Sequence, residues 1–217
     1  MKAYIFDLDG TIIDSLSSIR NVINDIAKRK YDKVFSYQEI KDFIGDGVKL
    51  LIERVIKSLG IESEKEKEEF LNEYLKAIYK DEAKNSVFFE GIEYVLSELK
   101  NRGKKIAVLT NKNNEGANYV LNEKLGSNYF EKIVGVDKNT PPKPEIIGIK
   151  RVLESLSVKN NESVYIGDSQ VDMMLAKKVG MFAVGVLWGY RTKEQLLDAG
   201  ADIVIEKPEQ LLNIEEN

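Results

Sequence analysis

Hydrophobic and polar positions along this chain follow three successive patterns. Tyr4 to Leu8 is a short, mainly apolar run that carries Asp7 and stops at Asp9-Gly10-Thr11. It is too short for a helix and predicts a buried strand. From Leu16 the period becomes helical, and Leu16, Ile19, Val22, Ile23, Ile26 and Ala27 predict an amphipathic helix to about Arg29. Ser36 with Glu39 three residues on has the form of a capping box and opens a short helix through Phe43. After the break at Gly45-Asp46-Gly47, Leu50, Leu51, Arg54, Val55 and Leu59 predict a helix that stops at Gly60. Ser63 with Glu66 starts a fourth, reaching about Lys80.

Beyond Phe88-Phe89-Glu90-Gly91 the pattern changes again, and short apolar runs alternate with helical stretches. The runs are Ile106 to Leu109, Ile133 to Val136, Val164 to Ile166, Phe182 to Leu187 and Ile203 to Ile205. Helices are predicted at about 92–101, 114–124, 145–156, 170–179 and 192–199. Buried strands alternating with helices imply an α/β fold, a Rossmann-like parallel sheet with helices on both faces. Ligands of such sheets bind outside the strands' carboxyl ends, where the strand order reverses. The expected core is residues 1–15 and 85–217, with 16–84 inserted as an all-helical cap over that edge.

Composition narrows the chemistry. The 217 residues suit a core domain with a smaller insertion. A formal net charge of -4 and a pI near 5.2 give no global attraction to nucleic acid or an anionic membrane, so neither is an expected partner. There is no cysteine and no histidine, which excludes disulfides, thiolate chemistry, imidazole catalysis and histidine metal sites. Catalytic and metal-binding groups must then come mainly from carboxylates, lysines and hydroxyls. No run approaches the ~18 apolar residues that cross a bilayer, and no basic region precedes a long apolar stretch, so a soluble cytoplasmic protein is expected.

Four segments carry chemistry at predicted strand ends. In Asp7-Leu8-Asp9-Gly10-Thr11, one carboxylate could attack a phosphoryl group while the other serves as acid and then base, provided a cation screens the approach of like charges. The same pair also suits a turn or cap. Thr110-Asn111-Lys112 offers a hydroxyl and an amide for phosphoryl oxygens, and is also good turn chemistry. Lys143, between prolines, could neutralise a phosphate. In Gly167-Asp168-Ser169-Gln170-Val171-Asp172, Asp168 could complete a metal site. Asp172, four residues on, lies on the same side, although acidic residues also favour a first helical turn for its dipole alone.

Together and in this order, the four segments resemble the haloacid dehalogenase superfamily of phosphohydrolases, across the whole chain. The resemblance implies that Asp7 is a nucleophile forming an aspartyl-phosphate and Asp9 the general acid and base. It implies that Thr110, Asn111 and Lys143 bind the phosphoryl group. Asp7, the main-chain carbonyl of Asp9, and Asp168 would bind Mg2+, with Asp172 either a further metal ligand or a partner that orients Lys143. The substrate would be a small phosphorylated metabolite and the protein a monomer or homodimer.

Phe43 to Arg54, Trp188-Gly189-Tyr190-Arg191 and Ala201 to Ile205 are similar to the corresponding segments of phosphoglycolate phosphatases, which makes 2-phosphoglycolate the expected substrate. A pyrophosphatase or a phosphosugar mutase of the same superfamily would share this core. A phospho-accepting signalling module is the alternative of another class. Two positions depart from the family pattern: Glu90 and Ile146 stand where prolines are usual.

Overall fold

Six of the apolar runs pair side by side in a computed structural model, which describes residues 1–45 and 47–214. Asp46, within the expected glycine break, and residues 215–217, at the end of the expected core segment, lie outside the described residues. The strands are β1 (Ala3–Phe6), β4 (Lys105–Asn113), β5 (Lys132–Val136), β6 (Ser163–Gly167), β7 (Phe182–Val186) and β8 (Ile203–Ile205). They form one sheet in the order β5-β4-β1-β6-β7-β8, every neighbouring pair parallel. This is the expected Rossmann-like α/β architecture. Strand order reverses at β1, which lies between β4 and β6, so the carboxyl end of β1 is the natural ligand position.

Burial explains the unbroken apolar character of these runs. In β1, Tyr4 and Phe6 enter the core on one face of the sheet while Ala3 and Ile5 enter the core on the other. Helices α5 (Ile92–Asn101) and α6 (Asn114–Leu125) cover the first face. Helices α7 (Ile147–Leu156), α8 (Gln170–Val179) and α9 (Lys193–Asp198) cover the second. A strand covered on both faces needs apolar side chains at successive positions.

The chain leaves this sheet through β2 (Ile13–Asp14) and returns through β3 (Val87–Phe88), an antiparallel pair with Ile13 opposite Phe88 and Asp14 opposite Val87. These two-residue strands are too short to show a period, and the sequence pattern did not predict them. Between them stand α1 (Leu16–Tyr31), α2 (Tyr37–Phe43), α3 (Val48–Leu59) and α4 (Glu64–Asn85), packed around a hydrophobic cluster of their own. The α2 capping box forms as expected, with the Ser36 hydroxyl accepting from the Glu39 N–H and the Glu39 carboxylate accepting from the Ser36 N–H. No helix among the described residues is long and apolar enough to cross a membrane.

Two elements run longer than their apolar patterns. Helix α4 continues past Lys80 to Asn85 and buries Glu82 completely. Strand β4 continues past Leu109 to Asn113, with a shift in its register against β5 over that stretch. Both extensions are polar, so hydrophobic periodicity cannot mark them. Both end at the edge of the sheet where β1 stops.

Candidate active site at the carboxyl edge of the sheet

Asp7 follows the last residue of β1, its N–H hydrogen-bonded to the Ile166 carbonyl at 2.8 Å. The residue is 7% exposed. Its Oδ1 accepts from the Leu8 N–H at 2.7 Å and lies 2.8 Å from Lys143 Nζ. Beyond it, Gly10 turns the chain with φ +84°, and a Cβ there would collide with the Asp168 carboxylate. A Cβ on Gly189 would strike Asp168 from another side. Only glycine lets the turn after β1, the end of β6 and the segment after β7 close around this carboxylate.

Lys143 is the cation of the buried cluster. Its ammonium reaches Asp7, Asp172 Oδ1 at 2.7 Å and the Leu109 carbonyl at 3.3 Å. Its backbone is held by Asn111, which accepts from the Lys143 N–H at 2.6 Å and donates to the Lys143 carbonyl at 3.4 Å. Both polar ends of the Asn111 amide are therefore used on Lys143. Thr110 is also buried, and its Oγ1 accepts from the Lys112 N–H at 3.2 Å, which leaves the hydroxyl proton free to be donated.

Asp168 and Asp172 divide two tasks. Asp168 Oδ2 accepts from the Tyr190 N–H at 2.8 Å, and its Oδ1 is at the limit of a hydrogen bond from Thr11 Oγ1, at 3.5 Å. Asp172 sits in the first turn of α8, where Oδ2 accepts from the Ser169 N–H at 3.1 Å and Oγ at 2.6 Å, while Oδ1 faces Lys143. The carboxylates of Asp7, Asp168 and Asp172 each offer an oxygen within 4.8 Å of the others. A buried, oxygen-only donor set of this kind fits a hard divalent cation. Asp7 and Asp168 have oxygens to spare for one, whereas both Asp172 oxygens are already engaged.

Asp9 and three residues that the sequence reading did not assign to the site stand on the outer side of this cluster. Lys112 Nζ lies 3.1 and 3.0 Å from the two oxygens of Asp9 and 2.9 Å from Glu82 of α4. Lys112 has a signal in the sequence, since alternation along β4 puts it on the same face as Thr110. Glu82 has one too: it continues the four-residue spacing of Phe70, Tyr74 and Ile78, as a charge in an apolar stripe. Arg191 donates to the Ile44 carbonyl at 2.6 Å and to Gln170 at 3.2 Å, joining the helical insertion to the sheet. Trp188 donates to the Thr11 carbonyl at 3.0 Å.

Above these groups is a cavity of about 80 Å3. Asp7, Asp9, Thr110 and Asp168 line its floor. Ile19, Ile44, Val48, Leu51 and Leu75, all from the helical insertion, form an apolar roof.

Burial shifts the acids upward. It pushes Asp7 up to about 7, against the pull of Lys143, and Asp168 up to about 8, with Asp7 and Asp172 adding to the effect. It pushes Glu82 up to about 7, opposed by Lys112. Burial alone would lower Lys143, but Asp172 and Asp7 outweigh it and hold the ammonium well above its usual value. The folded chain thus retains protons that the unfolded chain has released between roughly pH 4 and pH 8, and stability falls as pH rises through that window. A divalent cation binds the ionised forms and acts in the opposite sense. In chelator, melting at about pH 8 is expected below melting at about pH 5.5, and added magnesium should narrow the gap. A metal-free melting temperature that rises across the window would contradict this electrostatic picture.

Comparison with known proteins agrees with the geometry. Residues 4–186 match the model of the haloacid dehalogenase-like hydrolase family. The chain is 29% identical to a phosphoglycolate phosphatase of Aquifex aeolicus, covering 100% of this chain and 98% of that protein. It is 30% identical to a phosphoglycolate phosphatase of Caulobacter vibrioides, over 92% of this chain and 84% of that one. A crystal structure from Haemophilus somnus, described as a predicted phosphoglycolate phosphatase, shares the fold at a TM-score of 0.89. Its identity is 23%, with 98% of this chain and 97% of that one covered. The resemblance carried by the four sequence motifs is thus borne out, and the chain belongs to the haloacid dehalogenase-like hydrolase family, as a phosphoric monoester hydrolase.

Proposed function

We propose that the protein hydrolyses a small phosphomonoester, 2-phosphoglycolate first among them, with magnesium as its metal and residues 16–84 as a cap over the site. The observation that carries this reading is the buried Asp7 carboxylate, in contact with Lys143 and beside Asp168 on the floor of a roofed cavity. The substrate choice draws support from the relatives named as phosphoglycolate phosphatases.

In this mechanism one carboxylate oxygen of Asp7 attacks phosphorus, the other stays with the cations, and the bond to the ester oxygen breaks. Asp9 gives its proton to the leaving oxygen. Water then attacks the aspartyl-phosphate, Asp9 takes the water's proton, and the Asp7–phosphorus bond breaks. The Thr110 hydroxyl and the Lys143 ammonium hold phosphoryl oxygens, Asn111 fixes the Lys143 backbone, and Asp172 orients the ammonium. Magnesium, held by Asp7, the main-chain carbonyl of Asp9 and Asp168, would screen the charge as two anions meet. The apolar roof excludes bulk water during transfer.

The test is phosphate release from a panel containing 2-phosphoglycolate, other small phosphoesters and pyrophosphate, with and without magnesium. Metal-dependent release that is greatest on 2-phosphoglycolate is the expected outcome. Preference for pyrophosphate would reassign the substrate. Return of the phosphoryl group to a sugar phosphate would make the protein a mutase, and a stable phosphoprotein without turnover would make it a signalling module.

A further inference from the structure

The ion pair between Lys112 and Glu82 has no task in the mechanism above, yet its placement is costly. Glu82 is fully buried on α4, in line with Phe70, Tyr74 and Ile78 on the face that packs inward. Lys112 Nζ lies 2.9 Å from each of its oxygens, but the hydrogen bond goes to Oε1. Oε2 is buried without a hydrogen-bond partner among the described residues. A buried carboxylate hydrogen-bonded through one oxygen only is a poor way to stabilise a helix, and an apolar residue would serve stability better. What the pair does achieve is geometric. Glu82 fixes the ammonium of Lys112, and that ammonium touches both oxygens of Asp9, which sets the plane of the carboxylate.

We propose that Lys112 and Glu82 are positioning residues for Asp9, with Lys112 aligning its carboxylate for proton transfer and Glu82 holding Lys112 from the cap. The inference rests on the reading of Asp9 as the acid and base. Lys112 keeps its own proton throughout. When Asp9 is protonated, one of its oxygens carries the proton and Lys112 stays on the other. When Asp9 accepts a proton from water, Lys112 again holds the idle oxygen. Glu82 belongs to the helix that leads back to the sheet, whereas Asp9 belongs to the turn after β1. Alignment therefore depends on the cap being seated on the core, and proton transfer is coupled to closure.

The consequence is a dependence on the leaving group that a purely structural role would not produce. An alkyl phosphate needs a proton on its leaving oxygen in the first step, whereas 4-nitrophenyl phosphate expels 4-nitrophenolate without one. Hydrolysis of the aspartyl-phosphate needs Asp9 as base in either case. For Glu82→Gln and Lys112→Met, kcat on 2-phosphoglycolate is expected to fall about tenfold to a hundredfold with KM nearly unchanged. With 4-nitrophenyl phosphate the variants should give a burst of 4-nitrophenolate close to the enzyme concentration, then slow turnover as phosphoprotein accumulates. Lys112→Arg should recover part of kcat, because it keeps the charge near Asp9.

Thermal melts show whether each variant is folded, and if Glu82→Gln is not, the two Lys112 variants carry the test. Unchanged kcat, equal loss on both substrates without a burst, or a loss confined to KM overturns the positioning role while the wild type still turns over. A wild type that releases phosphate from neither compound overturns the proposed function itself, and this inference with it.

Discussion

Replacing Asp7 by asparagine is expected to abolish phosphate release and leave the fold intact. The amide has nearly the shape of the carboxylate but cannot attack phosphorus, and loss of a nucleophile costs at least about a thousandfold in rate. The fold should not resist the change. Burial already pushes the Asp7 carboxyl up to about 7, so ionised Asp7 is held in the folded chain against its desolvation. Lys143, meanwhile, retains Asp172 at 2.7 Å. Phosphate release and the melting temperature of Asp7→Asn measured together check both halves. Turnover within about tenfold of wild type would remove Asp7 from the nucleophile's place.

Lys143→Met should have the opposite balance, with stability lost as well as activity. Methionine fills a similar volume but leaves Asp7 and Asp172 side by side in a buried site without their ammonium. Removing one member of a buried ionic cluster costs about 3–5 kcal/mol. An exposed pair is a suitable control: Lys177→Met, which breaks the contact with Asp202, should cost about 0–1 kcal/mol. Urea unfolding of both variants reads the difference, and magnesium should restore part of the Lys143→Met loss by supplying charge to the same carboxylates. Equal midpoints for the two variants would mean that the buried lysine does not neutralise the cluster.

These two expectations depend on residues with very different visibility in the sequence. Asp7, Asp9 and Asp168 announce themselves because each interrupts or ends an apolar run, and buried strands leave few reasons for a carboxylate there. Lys143 stands out from many lysines only by its place between prolines and by the family motif. The rest of the site was silent for physical reasons. The amide clamp of Asn111 on Lys143 joins positions far apart in the chain, and nothing local specifies that pairing. Helical spacing gives the side on which Asp172 lies but not its contacts, so in sequence alone it fits a metal ligand and a partner of Lys143 equally. Glu82 lies beyond the expected end of its helix, where its four-residue spacing from Ile78 marks the buried face but not the lysine it meets.

By itself, the sequence determined the alternation of buried strands and helices, the long helical interruption after the first strand, and the acidic residues that end the strands. Those features follow from local period and from the cost of burying charge, both of which act within a few residues. Only the tertiary structure decided which charges meet. The reversal of strand order at β1 brings Asp7, Lys143 and Asp168 together, and the return of α4 to the sheet sets Glu82 against Lys112 and Lys112 against Asp9. Such contacts depend on distances between segments, which no periodicity records.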